Sequence, residues 1–259
     1  MTEHITGLLM SAIIIWRAFL KSDRPWYAMG FVANGLLLAG IVAISQAIFI
    51  PQNVYREGKS KNNLPVIAYH DVPIIGSPDA PYVVKLLFDY ECPHCQKIHS
   101  MLDDAVSRYG DKLAFALCPT PLNTECNPYV HHQADAFKNS CELTKIGLAV
   151  WVARREAFPV FDKWMFSFES GDKWHARSPQ AARAKAVELV GQAAFGAAQA
   201  SPWIAGYMET CVQIYGQTLQ NGRGGVPKLI LGSHWVIPGS GDDGDLIKIL
   251  QNSLAVPKP

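Results

Sequence analysis

The sequence predicts an α/β domain carried behind one or two transmembrane helices. Three observations predict it. A strand-length apolar run, a Cys-X-X-Cys pair, a helical pattern and a second apolar run follow one another over residues 82–117. The chain after residue 140 has mostly helical spacing and closes on a hairpin-like pair and an amphipathic helix. Residues 27–50 contain no charged side chain.

That uncharged run (YAMGFVANGLLLAGIVAISQAIFI) is 24 residues long, with Asn34, Ser45 and Gln46 its clearly polar members. A helix needs about 20 apolar residues to cross a bilayer, so the run is long enough to span. The earlier run, residues 5–20 (ITGLLMSAIIIWRAFL), is shorter and contains Arg17. It reads as a second span with a snorkelling Arg, a signal-peptide core or an interfacial helix. A hairpin of two helices is favoured, because no small-residue cleavage site follows. Residues 1–51 are therefore read as an anchor in membrane lipid, and 52–63 as a polar tether. Arg17, Lys21 and Arg24 before the strong span balance Arg56, Lys59 and Lys61 after it, so charge does not orient the anchor. Charged residues make up only 17% of the chain, against about 25% in ordinary soluble domains. Net charge is +1, from 23 Lys+Arg and 22 Asp+Glu. A nucleic-acid binder would show a basic excess, so nucleic acid is excluded as a partner.

The globular part, 64–259, opens with Val66 to Tyr69, read as a first strand. Turn residues from Gly76 to Pro81 introduce the second strand, 82–88 (YVVKLLF). After the cysteine pair, Ile98, Leu102, Ala105 and Tyr109 keep helical spacing up to Gly110. Residues 113–117 (LAFAL) form the next strand. A helix is expected over 141–157, with Leu143, Ile146 and Val150 on one stripe. Ser178-Pro179 and Ser201-Pro202 each pair a cap with proline at the first helical position, and the second helix should stop at Asn221-Gly222. Gly224-Gly225-Val226-Pro227 leads into strands at 228–231 and 235–237. Leu246, Ile247, Leu250 and Leu254 mark a last helix. The order is ββαβ, a helical insert over about 128–221, then ββα.

Six cysteines are present, all from position 92 onward: Cys92, Cys95, Cys118, Cys126, Cys141 and Cys211. An even set behind a membrane anchor suggests an oxidising compartment. Cys92-Pro93-His94-Cys95 falls where a strand gives way to a helix. Unpaired amides and the positive end of the helix there favour a thiolate at Cys92. Two intervening residues bring Cys95 round to resolve a mixed disulfide, and His94 is expected to lower the Cys92 pKa further. A stabilised thiolate makes the disulfide form a strong oxidant.

On the run Phe88-Asp89-Tyr90-Glu91-Cys92-Pro93-His94-Cys95 after a strand, the helical insertion, and Val226-Pro227 before the late hairpin, the chain resembles the thioredoxin superfamily. The likeness is nearest to the DsbA-like thiol–disulfide oxidoreductases. It implies a thioredoxin fold with a helical insertion over 64–259. It further implies that Cys92, Pro93, His94 and Cys95 are the catalytic motif, in the Cys-Pro-His-Cys form associated with oxidising members. Pro227 is implied to be cis beside the cysteines, with Val226 offering its backbone to an extended substrate. No cofactor beyond the redox-active cysteine pair is implied. Pro121-Leu122-Asn123, Cys126-Asn127-Pro128-Tyr129 and Ser140-Cys141-Glu142-Leu143 are similar to the thioredoxin-like domain fused to vitamin K epoxide reductase-like membrane proteins. Those fusions recycle their cysteines through a quinone. Here no cysteine lies in the anchor, so either a separate membrane redox partner, an oxidase or reductase that could be quinone-linked as in those fusions, serves the chain, or the chain descends from a shortened fusion. Relatives commonly place a buried acid about six residues before the first active cysteine. Leu86 and Leu87 occupy that region here, and Asp89 and Glu91 lie nearer the motif.

The resemblance thus implies a membrane-anchored oxidoreductase that exchanges disulfides with cysteine-containing proteins. It would sit at the bacterial cytoplasmic membrane with its domain on the periplasmic or extracellular side. Oxidation is favoured, with reduction and isomerisation open. The alternative is a non-catalytic thioredoxin-like module for binding or metal delivery. Zinc would take Cys92, Cys95 and His99, but no second cysteine pair is suitably spaced, so no metal is assigned. His99 is expected on the solvated face of its helix, and the adjacent His131 and His132 in a loop. Trp151, Trp164 and Trp174 are read as packing residues, and Lys85 as an edge or snorkelling residue without a role. Cys118 and Cys211 default to small buried hydrophobes, with a mutual bridge left open. A structural disulfide is expected between Cys126 and Cys141, with two unpaired thiols as the alternative. The bridge closes a loop of about 15 residues and contributes roughly 3 kcal/mol. Ser140 is expected to cap the helix that Cys141 begins.

Overall fold

The computed structural model describes residues 56–59, 65–167, 174–219, 224–238 and 246–258. The chain divides into two units after Gln52, and all described residues belong to the second. The expected anchor, 1–51, lies outside the described residues, and among those described no helix is long and apolar enough to cross a membrane.

The run YVVKLLF becomes strand β3 (Tyr82–Phe88), and LAFAL lengthens into β4 (Leu113–Pro119). They pair in parallel from Tyr82↔Leu113 to Phe88↔Pro119. Both are buried on two faces, which is why they read as near-continuous apolar runs. The remaining strands are β1 (Arg56–Lys59), β2 (Ile74–Gly76), β5 (Lys228–Leu231) and β6 (His234–Ile237). The sheet order is β1-β6-β5-β3-β4-β2. β3 is therefore flanked on both sides, and Lys85 is not an edge residue. It lies 7% exposed, its ammonium 5.8 Å from the Tyr69 ring centroid.

The first strand differs from expectation. Residues 65–68 form no strand, Val66 is 97% exposed, and Tyr69–Asp71 is a short 3-10 turn. The pairing with β4 is made instead by Ile74–Gly76. Gly76 permits it: its φ is +96°, and a Cβ there would lie 2.7 Å from the Leu113 carbonyl oxygen. Part of the stretch read as a tether, Arg56–Lys59, pairs antiparallel with β6.

The crossover from β3 to β4 is two helices rather than one, α1 (Pro93–His99) and α2 (Leu102–Tyr109). The Ser100 hydroxyl donates to the Lys97 carbonyl at 2.8 Å, and the Met101 amide turns to Ile98 instead. A side chain competing for a helix carbonyl breaks the ladder at that point.

The insert holds α3 (Ser140–Ala153), α4 (Phe158–Phe166), α5 (Pro179–Val190), α6 (Gln192–Gln199) and α7 (Pro202–Gln217). Helix α3 is buried on nearly all sides, not along one stripe, because the other insert helices surround it. It ends at Ala153, four residues early, where Arg154 turns extended and Phe158-Pro159 begins a new helix. Ser178 caps α5 by accepting the Ala181 amide at 3.2 Å. Ser201 occupies the cap position of α7 without such a bond. α7 ends at Gln217, short of Asn221, where the Thr218 hydroxyl takes the Tyr215 carbonyl at 2.7 Å. α7 also packs on β4 and so fixes the insert to the sheet. Helix α8 (Leu246–Asn252) follows the hairpin. A disulfide joins Cys126 to Cys141, with Cα atoms 6.1 Å apart.

Candidate active site

Beyond β3 the chain continues through Asp89-Tyr90-Glu91 to Cys92, which is the N-cap of α1, with Pro93 in its first turn. The Cys95 and Gln96 amides both donate to the Cys92 carbonyl at 3.1 Å, folding the motif into one turn. Cys92 is 3% exposed and Cys95 fully buried. The Cys92 thiol donates to the Val226 carbonyl at 3.5 Å, and the Val226–Pro227 peptide is cis. The Asp89 amide donates to the Cys95 sulfur at 3.5 Å.

The two thiols are held apart in acidity. A hydrogen bond from Cys95 lowers the Cys92 pKa, helped by the backbone amides of Cys95 and His94 and opposed by burial and the Asp89 charge. Burial, the bond to Cys92 and the charge of Cys92 push Cys95 well up. The His94 side chain is exposed, and its backbone amide is among the groups that lower Cys92.

Asp89 and Glu91 form a buried acid pair beside the motif. Asp89 accepts the Glu91 amide at 2.7 Å, the Leu122 amide at 2.6 Å and the Ser140 hydroxyl at 2.9 Å. Burial nevertheless raises its pKa to about 6. Glu91 accepts the Asn139 amide at 2.8 Å and the Asn139 side chain at 3.0 Å. Ser140 therefore does not cap α3. Asn139 takes the N-cap position, and the Ser140 hydroxyl faces the two carboxylates. Leu86 and Leu87 are core residues, and the acid whose charge reaches both sulfurs is Asp89.

His99 is not on a solvated face. Its side chain is 3% exposed and its Nδ1 lies 2.9 Å from Asp162, which also accepts the Tyr90 hydroxyl at 3.2 Å. The ring packs on Phe166, with centroids 3.9 Å apart, and against Phe88. Helix α1 lies between the sheet and α4, so the face a lone amphipathic helix would expose is covered. Asp162 stands far along the chain from His99, and no local spacing marks such a pair. His131 and His132 are exposed. Trp151 is buried against Phe158, Trp174 stacks on Phe166, and Arg177 lies over Trp164. Among the described residues no group of three or more His, Cys, Asp or Glu is placed to hold a metal ion.

With this geometry in place, a family model described as thioredoxin matches residues 69–218, more than half of the chain. The chain belongs to the thioredoxin family. Its fold is similar to that of the catalytic domain of ScsC from Proteus mirabilis, at 19% identity and TM-score 0.52, covering 74% of this chain and 93% of that one. It is also similar to the thiol-disulfide exchange protein alpha-DsbA2 from Wolbachia pipientis, at 19% identity and TM-score 0.52, over 70% of this chain and 86% of that one. Oxidised BdbD from Bacillus subtilis, at 16% identity and TM-score 0.52, is covered over 100% of its length by 77% of this chain. No curated protein sequence matches.

Proposed function

We propose that the protein is a membrane-anchored thiol–disulfide oxidoreductase that passes its Cys92–Cys95 disulfide to cysteine-containing proteins outside the cytoplasm. The observation that carries this reading is the geometry of the pair, with Cys92 at a helix start 3.5 Å from the carbonyl of the cis Val226–Pro227 peptide and Cys95 fully buried one turn behind it, in keeping with a lowered Cys92 and a raised Cys95. Such a pair releases Cys92 readily as a leaving group and favours the reduced state, which makes the disulfide an oxidant.

In the proposed cycle a substrate thiolate attacks Cys92, the Cys92–Cys95 bond breaks, and Cys95 leaves as a thiolate. The Asp89 charge opposes negative charge on Cys95 and so favours its protonation. A second substrate thiol then attacks the mixed disulfide and releases Cys92. The backbone at Val226, 3.5 Å from the Cys92 sulfur, is where an extended substrate strand would align. The uncharged run at 27–50 supports the anchor. The absence of cysteine before position 92 supports re-oxidation by a separate, quinone-linked membrane partner.

The test is transfer of disulfides to a reduced, unfolded protein. The oxidised chain should introduce disulfides stoichiometrically and Cys92→Ser should abolish transfer, while Cys95→Ser, given a disulfide-containing protein, should attack it through Cys92 and accumulate the mixed disulfide, with the other substrate sulfur released as a thiol. Transfer that persists in Cys92→Ser would overturn the assignment.

A further inference from the structure

A second pair of thiols meets on the opposite side of the domain from the helix that carries the motif. Cys118 lies on β4 beside Leu87, and Cys211 lies within α7. Both are 0% exposed, and Cys211 stands one helical turn after Tyr207, on the face of α7 whose Tyr207 hydroxyl reaches the Cys118 sulfur. The Tyr207 hydroxyl, 3.7 Å from the Cys118 sulfur, donates to the Leu117 carbonyl at 3.0 Å and closes the cluster. Tyr207 itself is buried. Two small hydrophobes would fill this interface without a hydroxyl beside the sulfur.

We propose that Cys118 and Cys211 are a second dithiol–disulfide couple, separate from the Cys92–Cys95 pair, whose oxidised form ties α7 to the central strand β4. The couple does not depend on the exchange activity proposed above. Its chemistry has the same asymmetry as the first pair. The bond from Cys211 and the charge of the buried Lys85 lower Cys118 against its own burial, while burial raises Cys211. Cys118 is therefore the attacking sulfur and Cys211 the resolving one.

With glutathione disulfide as oxidant, the Cys118 thiolate attacks one glutathione sulfur, the glutathione S–S bond breaks, and one glutathione leaves as a thiolate. The Cys211 thiolate then attacks the Cys118 sulfur, forming the protein S–S bond and releasing the second glutathione. Two electrons and the two thiol protons pass to two glutathione thiols. Because neither cysteine is exposed, exchange requires α7 to be undocked, as during folding or local opening.

The test refolds the reduced full chain in a glutathione redox buffer, alkylates it under denaturing conditions and maps the peptides without reduction. A peptide pair joining Cys118 to Cys211 is expected. In the folded, reduced chain exposed to glutathione disulfide, this bridge should form at least ten-fold more slowly than Cys92–Cys95, in keeping with burial. The double variant Cys92→Ser/Cys95→Ser, incapable of exchange, should still form it on refolding, so failure of the proposed function leaves this result standing. Recovery of Cys118 and Cys211 as alkylated thiols after refolding overturns the inference. So does linkage of either to another cysteine, or loss of the bridge in the double variant.

Discussion

Asp89 sets the electrostatics of the motif from three positions before Cys92. Its charge raises both sulfurs, so Asp89→Asn should lower the Cys92 pKa and speed alkylation of Cys92 above about pH 6, where the wild-type carboxyl is ionised; an unchanged rate there would contradict this. The same carboxyl ties stability to pH. Its ordinary value is 3.8 and its folded value about 6, so the native state keeps a proton that the unfolded chain has lost. Its contribution to stability should fall as pH rises from about 4 to about 6, by on the order of 3 kcal/mol, and stay level above. Urea midpoints of the wild type should therefore lose ground to those of Asp89→Asn across that window.

Lys228 follows the opposite rule. It is fully buried directly after Pro227, donates to the Thr218 hydroxyl at 2.6 Å and lies over the Tyr215 and Trp235 rings. Burial lowers its pKa from 10.5 to about 7. The native state thus holds fewer protons than the unfolded chain between those values, and stability from this group rises with pH from about 7 to about 10. Lys228→Met should stabilise the domain by about 1–2 kcal/mol at pH 6, an advantage that shrinks as the pH approaches 10. A pH-independent difference would contradict the burial argument. None of this was legible in the sequence. Asp89 stood near the motif, but its partners Leu122 and Ser140 come from a loop and a helix no spacing connects to it.

At the scale of elements, local signals worked where a local force decides the structure. The apolar run of β3, the helix start at Cys92 and the Ser178-Pro179 cap appear where their residues place them. Val66–Tyr69 failed because a short apolar run does not say which edge of β4 is free, and Ile74-Ile75 with Gly76 fits that edge. The unbroken helix over 98–109 failed because periodicity does not reveal a hydroxyl turned back on the Lys97 carbonyl. The Cys126–Cys141 bridge fixes the start of α3, where Asn139 and Ser140 hold the Glu91 and Asp89 carboxylates. Replacing both cysteines by alanine should cost roughly 3 kcal/mol of stability. It should also change the Cys92 pKa, since the acids lose their fixed partners. Loss of stability with an unchanged Cys92 titration would mean that the bridge acts on folding alone.

For the whole molecule, the thioredoxin family membership joins an asymmetric cysteine pair to a chain whose first 91 residues contain no thiol. On the proposed reading, the segment before the domain anchors and the domain carries the redox step. The oxidising direction was legible only through the Cys-Pro-His-Cys identity, because a potential depends on how far the fold stabilises one thiolate. In this fold that stabilisation comes from Cys95 and backbone amides, groups any Cys-X-X-Cys sequence could supply. The reduction potential of the Cys92–Cys95 couple, measured on the full chain against glutathione, tests the central claim most directly. The account predicts a value near the oxidising limit of about −120 mV, whereas a value near about −270 mV, typical of a reductant, would contradict it.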